Sequence, residues 1–186
     1  PGPGTALQLS ATHATHPGRL LVVSHKGAYQ NDYVTVSDDN GEHWSTHPRA
    51  FPLMDEAALT ELPNGHVLLN MRHRSSPQVG RAIALSMDGG DTFGNITFDK
   101  ALVSPVCQAS IVSFDGATYF SNPADPSGRD EMTVKKSVDN ARTWTSSLLV
   151  HAGPSFGYSC LVKGELLRGS ARQGGILFES ANEEIA

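Results

Sequence analysis

Short stretches in which apolar and polar residues alternate run the whole length of the chain, and each stops at a cluster of turn-forming residues. LLVVSH from Leu20, YVTVS from Tyr33, AIALS from Ala82, MTVKKS from Met132, TSSLLV from Thr145, CLVKGELL from Cys160 and ILFES from Ile176 all read as strands. LTELPNGHVLLNMR from Leu59 and SIVSFDGATYFSN from Ser110 belong to the same pattern, with turn signals inside them. No stretch combines a helical period with caps, so the pattern predicts an all-β chain.

Three of the strands run into one motif: SDDNGEHW from Ser37 to Trp44, SMDGGDTF from Ser86 to Phe93, and SVDNARTW from Ser137 to Trp144. The motif starts lie 49 and 51 residues apart, the difference between positions 37, 86 and 137, and a period near 50 is the length of a four-stranded propeller blade. In each motif Asp can cap free N–H groups, Gly can take positive φ, and a ring can cover the apolar side, which is hairpin chemistry. Ala141 stands where the other copies have Gly41 and Gly90, so a slightly strained turn is expected there. Closely spaced acids also suit a calcium loop, but that spacing puts Val36 at a ligand position and no Glu closes it, so no metal is expected.

Aligned on these motifs, Thr5, Glu56, Cys107 and Tyr158 fall at intervals of 51 and should each begin the innermost strand of a blade. The blades then cover residues 5–55, 56–106, 107–157 and an incomplete 158–186, about three and a half in all. In this register Glu56 and Tyr158 converge at one end of the central axis. An open propeller would leave strand edges unpaired, which favours association.

Charge and composition narrow the partners. With 186 residues and 39% hydrophobic content the chain can bury a domain core, and no apolar run reaches the roughly 20 residues of a membrane span. The N-terminal PGPGTALQL has no charged and then apolar leader pattern. A net charge of -5, with 14 scattered basic residues, argues against nucleic acid as a partner. Cys107 and Cys160 lack zinc-type spacing, and a bond between them is open only if their Cα atoms come within about 7 Å. The HATH segment at 13–16 reads as solvated, and Asn95-Ile96-Thr97 is a glycosylation sequon that weakly favours an exported protein.

Taken together, PGPGTALQL, DEAALTELPNGHVLLNMR (Asp55 to Arg72), PVCQAS (Pro105 to Ser110), SNPADPSGRDEMT (Ser121 to Thr133), GYSCL (Gly157 to Leu161) and ILFES resemble the sialidase (exo-α-neuraminidase) family, in that family's order. The three hairpin motifs look like its Asp boxes. The resemblance implies a six-bladed β-propeller, of which this chain resembles the C-terminal part of the catalytic domain. It implies Tyr158 as nucleophile, Glu56 as the carboxylate paired with it, Arg72 and Arg129 as two of three arginines on the sialic acid carboxylate, and Glu179 as the acid that orients the third. That third arginine, normally in an RIP-like segment, and the acid/base aspartate would lie upstream of Pro1, leaving this piece inactive by itself. No cofactor or metal is implied. The implied partners are sialylated glycoproteins, gangliosides and oligosaccharides, in an extracellular or lysosomal setting.

These residue types suit that substrate. A sialoside bears a carboxylate on its anomeric carbon, so a neutral phenol approaches without the repulsion that an Asp or Glu nucleophile would meet. A phenol with a pKa of about 10 needs a carboxylate to take its proton as it attacks, and a Tyr nucleophile is the recorded exception among glycosidases. Arginine holds a carboxylate with two parallel donors and keeps its charge. Two alternatives stand beside this reading: a non-catalytic Asp-box propeller that binds carbohydrate or protein, and a trans-sialidase.

Overall fold

A computed structural model describes residues 3–75, 79–165 and 172–180. Its first sheet joins β1 (Leu7–Gln8), β2 (Leu20–Lys26), β3 (Asn31–Ser37) and β4 (Ser45–Thr46), with β5 (Phe51–Pro52) also on β3. The second runs β6 (Met54–Glu61), β7 (Val67–His73), β8 (Arg81–Ser86), β9 (Thr97–Asp99), and the third β10 (Ser110–Phe114), β11 (Ala117–Pro123), β12 (Met132–Ser137), β13 (Ser146–His151). β14 (Ser155–Glu165) and β15 (Arg172–Ser180) form a hairpin of their own. All pairings are antiparallel, and no helix occurs among the described residues.

Each sheet is a meander in chain order, which makes it a propeller blade. β6 touches β1 on one side and β10 on the other, and β10 touches β14, so the first strands of successive blades lie side by side at the axis. Leu21 and Val34 of the first blade meet Leu59, Val67, Leu69 and Met71 of the second in one apolar core. Ala58, Leu62 and Leu68 meet Ile111 and Phe120 of the third in another. Third and fourth blades are stitched by polar groups as well: the Gln108 side chain exchanges two hydrogen bonds with the Ser159 backbone, at 3.0 and 2.9 Å, and Leu161 N–H donates to Ser110 Oγ at 2.9 Å.

The hairpin motifs work as their composition dictates. Asp39, Asp88 and Asp139 each accept from the serine two residues before, at 2.8, 2.7 and 2.8 Å, and from the backbone N–H four residues after, at 2.9 Å in all three. The serine hydroxyl in turn accepts the N–H of Gly41, Gly90 or Ala141. The carboxylates are therefore occupied by their own loops. Ala141 takes φ 59°, the left-handed conformation that a Cβ disfavours, as its place in the repeat led one to expect. The rings differ: Phe93 is buried edge-on against Phe51 and Trp144 packs on Phe120, whereas Trp44 remains 45% exposed.

Two sequence expectations need correction. The 51-residue spacing does not mark strand starts: Glu56 is the third residue of β6 and Tyr158 the fourth of β14, while Thr5 and Cys107 precede β1 and β10. Strands of unequal length carry bulges that shift their beginnings relative to the repeat. Nor is HATH solvated. His13 is buried and bonds Gly65 O at 2.9 Å, and His16 pairs with Asp91 at 2.7 Å, because the segment wedges between two blades. Beside it, buried Arg19 holds both oxygens of Asp38 in its own blade and Asp91 Oδ1 in the next, at 2.7, 2.8 and 2.6 Å.

Candidate active site

The site lies at the end of the blades opposite the Asp-box hairpins, and irregular backbone builds it. In the β6–β7 ladder Asp55 pairs with Arg72 and Ala57 with Met71, which leaves Glu56 as the extra residue of a bulge, at φ 23°. A bulge re-aims a side chain that a regular pleat would place elsewhere. β14 loses register in the same way between Ser155 and Ser159. There Gly157 takes φ 97°, and a Cβ on it would sit 2.6 Å from Cys107 Sγ and 2.9 Å from Arg129 Cδ, so only glycine fits the turn that presents Tyr158.

The two bulges aim their side chains at one point. The Tyr158 hydroxyl donates to Glu56 Oε1, and Arg72 Nη1 donates to Glu56 Oε2 while lying 3.4 Å from the Tyr158 oxygen. Glu56 is 8% exposed, which rules out a solvated acid. Burial, helped by the bond to Glu56, pushes the Tyr158 phenol up to about 12. Burial would lower the Arg72 guanidinium, but its bond to Glu56 outweighs this and its pKa is raised. The phenol is thus kept protonated, with a carboxylate in contact to receive the proton and a fixed cation alongside.

The other two sequence candidates flank this triad without joining it. Arg129 donates to Phe156 O at 2.7 Å and Val106 O at 3.3 Å, so its guanidinium is held by the backbone just before Gly157 and just before Cys107 rather than by a surface acid such as Asp130. Glu179, on β15, accepts the Tyr158 N–H at 3.2 Å. Cys107 and Cys160 are both free thiols. Pro3, Thr5, Tyr158, Phe178 and Glu179 line a cavity of about 430 Å³ that opens beside the tyrosine.

Sequence reading missed the charges buried next to this point. Fully buried Arg81 donates to Asn70 Oδ1 at 2.8 Å and Cys107 O at 2.7 Å at the interface of the second and third blades. Burial lowers it to about 10, which leaves it cationic at neutral pH. On the first blade Asp32 is fully buried with neither oxygen hydrogen-bonded among the described residues, and burial, with Asp55 nearby, raises it to about 7. Both sit in ordinary alternating strands, so nothing in the local pattern distinguishes them from surface charges.

The BNR repeat-like domain family matches residues 2–166. A sialidase of Micromonospora viridifaciens is 35% identical over 172 residues, covering 85% of this chain and 26% of the relative. A sialidase of Bacteroides fragilis is 32% identical over 171 residues, covering 86% of this chain and 30% of the relative. The solved Hadza microbial sialidase Hz136 superposes with a TM-score of 0.76 at 29% identity, over 96% of this chain and 35% of that one. The chain therefore spans about a third or less of each relative, as part of a sialidase-like propeller in which its sheets are consecutive blades.

Proposed function

This chain belongs to the BNR repeat-like domain family, and from that membership and the contact of Tyr158 with Glu56 we propose that it supplies the nucleophile side of a sialidase active site. The whole enzyme would release terminal sialic acid from glycoproteins, glycolipids or oligosaccharides. The observation that carries this reading is the phenol–carboxylate contact between residues 102 apart, each on a bulge.

Tyr158 attacks the anomeric carbon as Glu56 Oε1 takes the phenolic proton, and the C–O bond to the aglycone breaks. The leaving oxygen is protonated by an acid from elsewhere in the propeller. Water, deprotonated by the conjugate base of that acid, then attacks from the face the aglycone left, opposite the tyrosine, and Glu56 returns its proton to Tyr158 Oη as the bond to the tyrosine breaks, so two inversions retain the configuration. With a phenol held at about 12, free phenolate is scarce, and proton transfer has to accompany attack. Arg72 steadies Glu56 before substrate arrives and turns its remaining donors to the sialic acid carboxylate, together with Arg129. Glu179, which sequence suggested as an arginine-orienting residue, holds the Tyr158 backbone in addition.

The test uses the intact enzyme and a fluorogenic sialoside. Tyr158→Phe should remove turnover while leaving the melting temperature within a few degrees, and mass spectrometry of acid-quenched wild-type enzyme should find a sialyl adduct on Tyr158. Unchanged turnover in Tyr158→Phe would refute the assignment. Binding of sialosides without any release would favour the non-catalytic alternative.

A further inference from the structure

Glu56 is held by more than its bonds to Tyr158 and Arg72. At φ 23° its backbone is in a region that residues with side chains avoid, and the ladder skips it. Such strain persists only where the surroundings over-determine it. The N–H of Glu56 donates to Asp55 Oδ1 at 2.9 Å. The same oxygen lies 3.2 Å from Nδ1 of His25, which reaches over from β2 of the neighbouring blade. Asp55 is 7% exposed. A single buried oxygen therefore ties the bulge both to itself and to the first blade.

We propose that Asp55 is a positioning residue for Glu56 and that His25 locks Asp55 in place, so that the first blade sets the aim of the base on the second. This rests on the reading of Glu56 as the base for Tyr158. Among the described residues the Asp55 side chain makes no hydrogen bond to the Tyr158 hydroxyl or the Arg72 guanidinium; its contacts go to the Glu56 N–H and to His25. Without the acceptor at Oδ1, the Glu56 backbone is free to relax to negative φ. Its carboxylate then swings away from the phenol. Misplacement by about 1 Å can cost on the order of a hundredfold in rate. The sialic acid carboxylate is held by arginines, so the loss falls on kcat far more than on KM.

The experiment compares four variants in the intact enzyme with a fluorogenic sialoside. Asp55→Ala removes the acceptor and should lower kcat by about 10- to 100-fold with KM within about threefold. Asp55→Asn keeps an oxygen for the Glu56 N–H and should recover most of that loss. His25→Ala should lower kcat by about three- to tenfold, and His25→Asn, whose amide places a donor near the Nδ1 position, should restore it. Wild-type kcat in Asp55→Ala, or no recovery in Asp55→Asn, overturns the proposal. If Asp55→Ala does not fold, the His25 pair decides by the same criterion. Tyr158→Phe and Glu56→Gln run in parallel: active controls would refute the site itself, while inactive controls beside an unaffected Asp55→Ala would refute only the positioning role.

Discussion

At one end of the second blade, Glu61, Val67 and Ser86 meet in an unbroken ladder beside the Asp88 hairpin; at the other, Asp55 faces Arg72 across a skipped residue. The carboxylates at the two ends are treated in opposite ways. Burial would raise the Asp88 carboxyl, but donors from Thr92 and Ser86 bring it down to about 2, and Asp139 is brought to about 2 by Thr143, its backbone N–H and Ser137. Asp32, near the other end, is raised to about 7 by burial. At the Asp-box end the acids spend their oxygens on their own turns, whereas at the other end buried Asp32 has no donor among the described residues and Glu56 gives its oxygens to the Tyr158 phenol and to Arg72. Stability and reactivity are thus divided between the ends of the same strands.

The sharpest break in this division is Glu56→Gln. It should lower kcat by about a hundredfold to ten-thousandfold, the usual worth of a general base, and should also lower the melting temperature of the intact enzyme, because the buried Arg72 charge loses its partner. Turnover near wild type despite the lower melting temperature would show that the Arg72–Glu56 pair is structural and that another group takes the proton.

Next in size is the pH dependence of stability, which should slope in opposite directions for the two ends. Asp32 has a folded pKa above its unfolded value, so its favourable term is full below about pH 4 and is lost as pH rises through about 7. Asp88 has a depressed folded pKa, so its term is full above about pH 4 and is lost as pH falls through about 2. Asp32→Asn should therefore stabilise the enzyme at pH 8 by a few kcal/mol, at about 1.4 kcal/mol per pKa unit, with the gap closing toward pH 4. Thermal melts across pH measure both slopes. No difference between variant and wild type at pH 8 would mean that the buried acid has a partner after all.

Smaller effects belong to the Asp-box end. Asp88→Ala strands loop N–H groups and the Ser86 hydroxyl, and should cost about 1–3 kcal/mol in a denaturant titration with kcat unchanged. A changed kcat would mean that the ends communicate. Ala141→Gly relieves a left-handed alanine at φ 59° and should add up to about 1 kcal/mol.

Much of this was legible in the chain. Alternation and Asn-Gly or Asp-Gly turns gave strands such as Leu20–Lys26 and Ser110–Phe114 because each strand buries one face against its neighbouring blade. The repeat brought Glu56 and Tyr158 to one end because both lie early in an inner strand. The bulges that aim them were not legible, since β6 is buried on both faces and carries no alternation in which a skipped residue would show. Gly157 looked like any turn glycine until Cys107 and Arg129 were seen pressing on it. The contact of His25 with Asp55 and the burial of His13 depend on which blades adjoin, which local sequence does not encode.

Arg19 carries a consequence for how the molecule opens. Its side chain is 4% exposed and grips one acid from each of two consecutive Asp boxes, so separating those blades would uncover the cation and leave Asp91 without its partner while Asp38 stays paired. Asp38 and Asp91 are 58% and 50% exposed, so added salt screens the pairing from the acid side. Backbone amides on β2 and β8 should therefore exchange with deuterium in a single correlated event whose rate rises with ionic strength, while the outer β9 and β13 exchange earlier and independently. The propeller would then breathe by pairs of blades rather than one blade at a time.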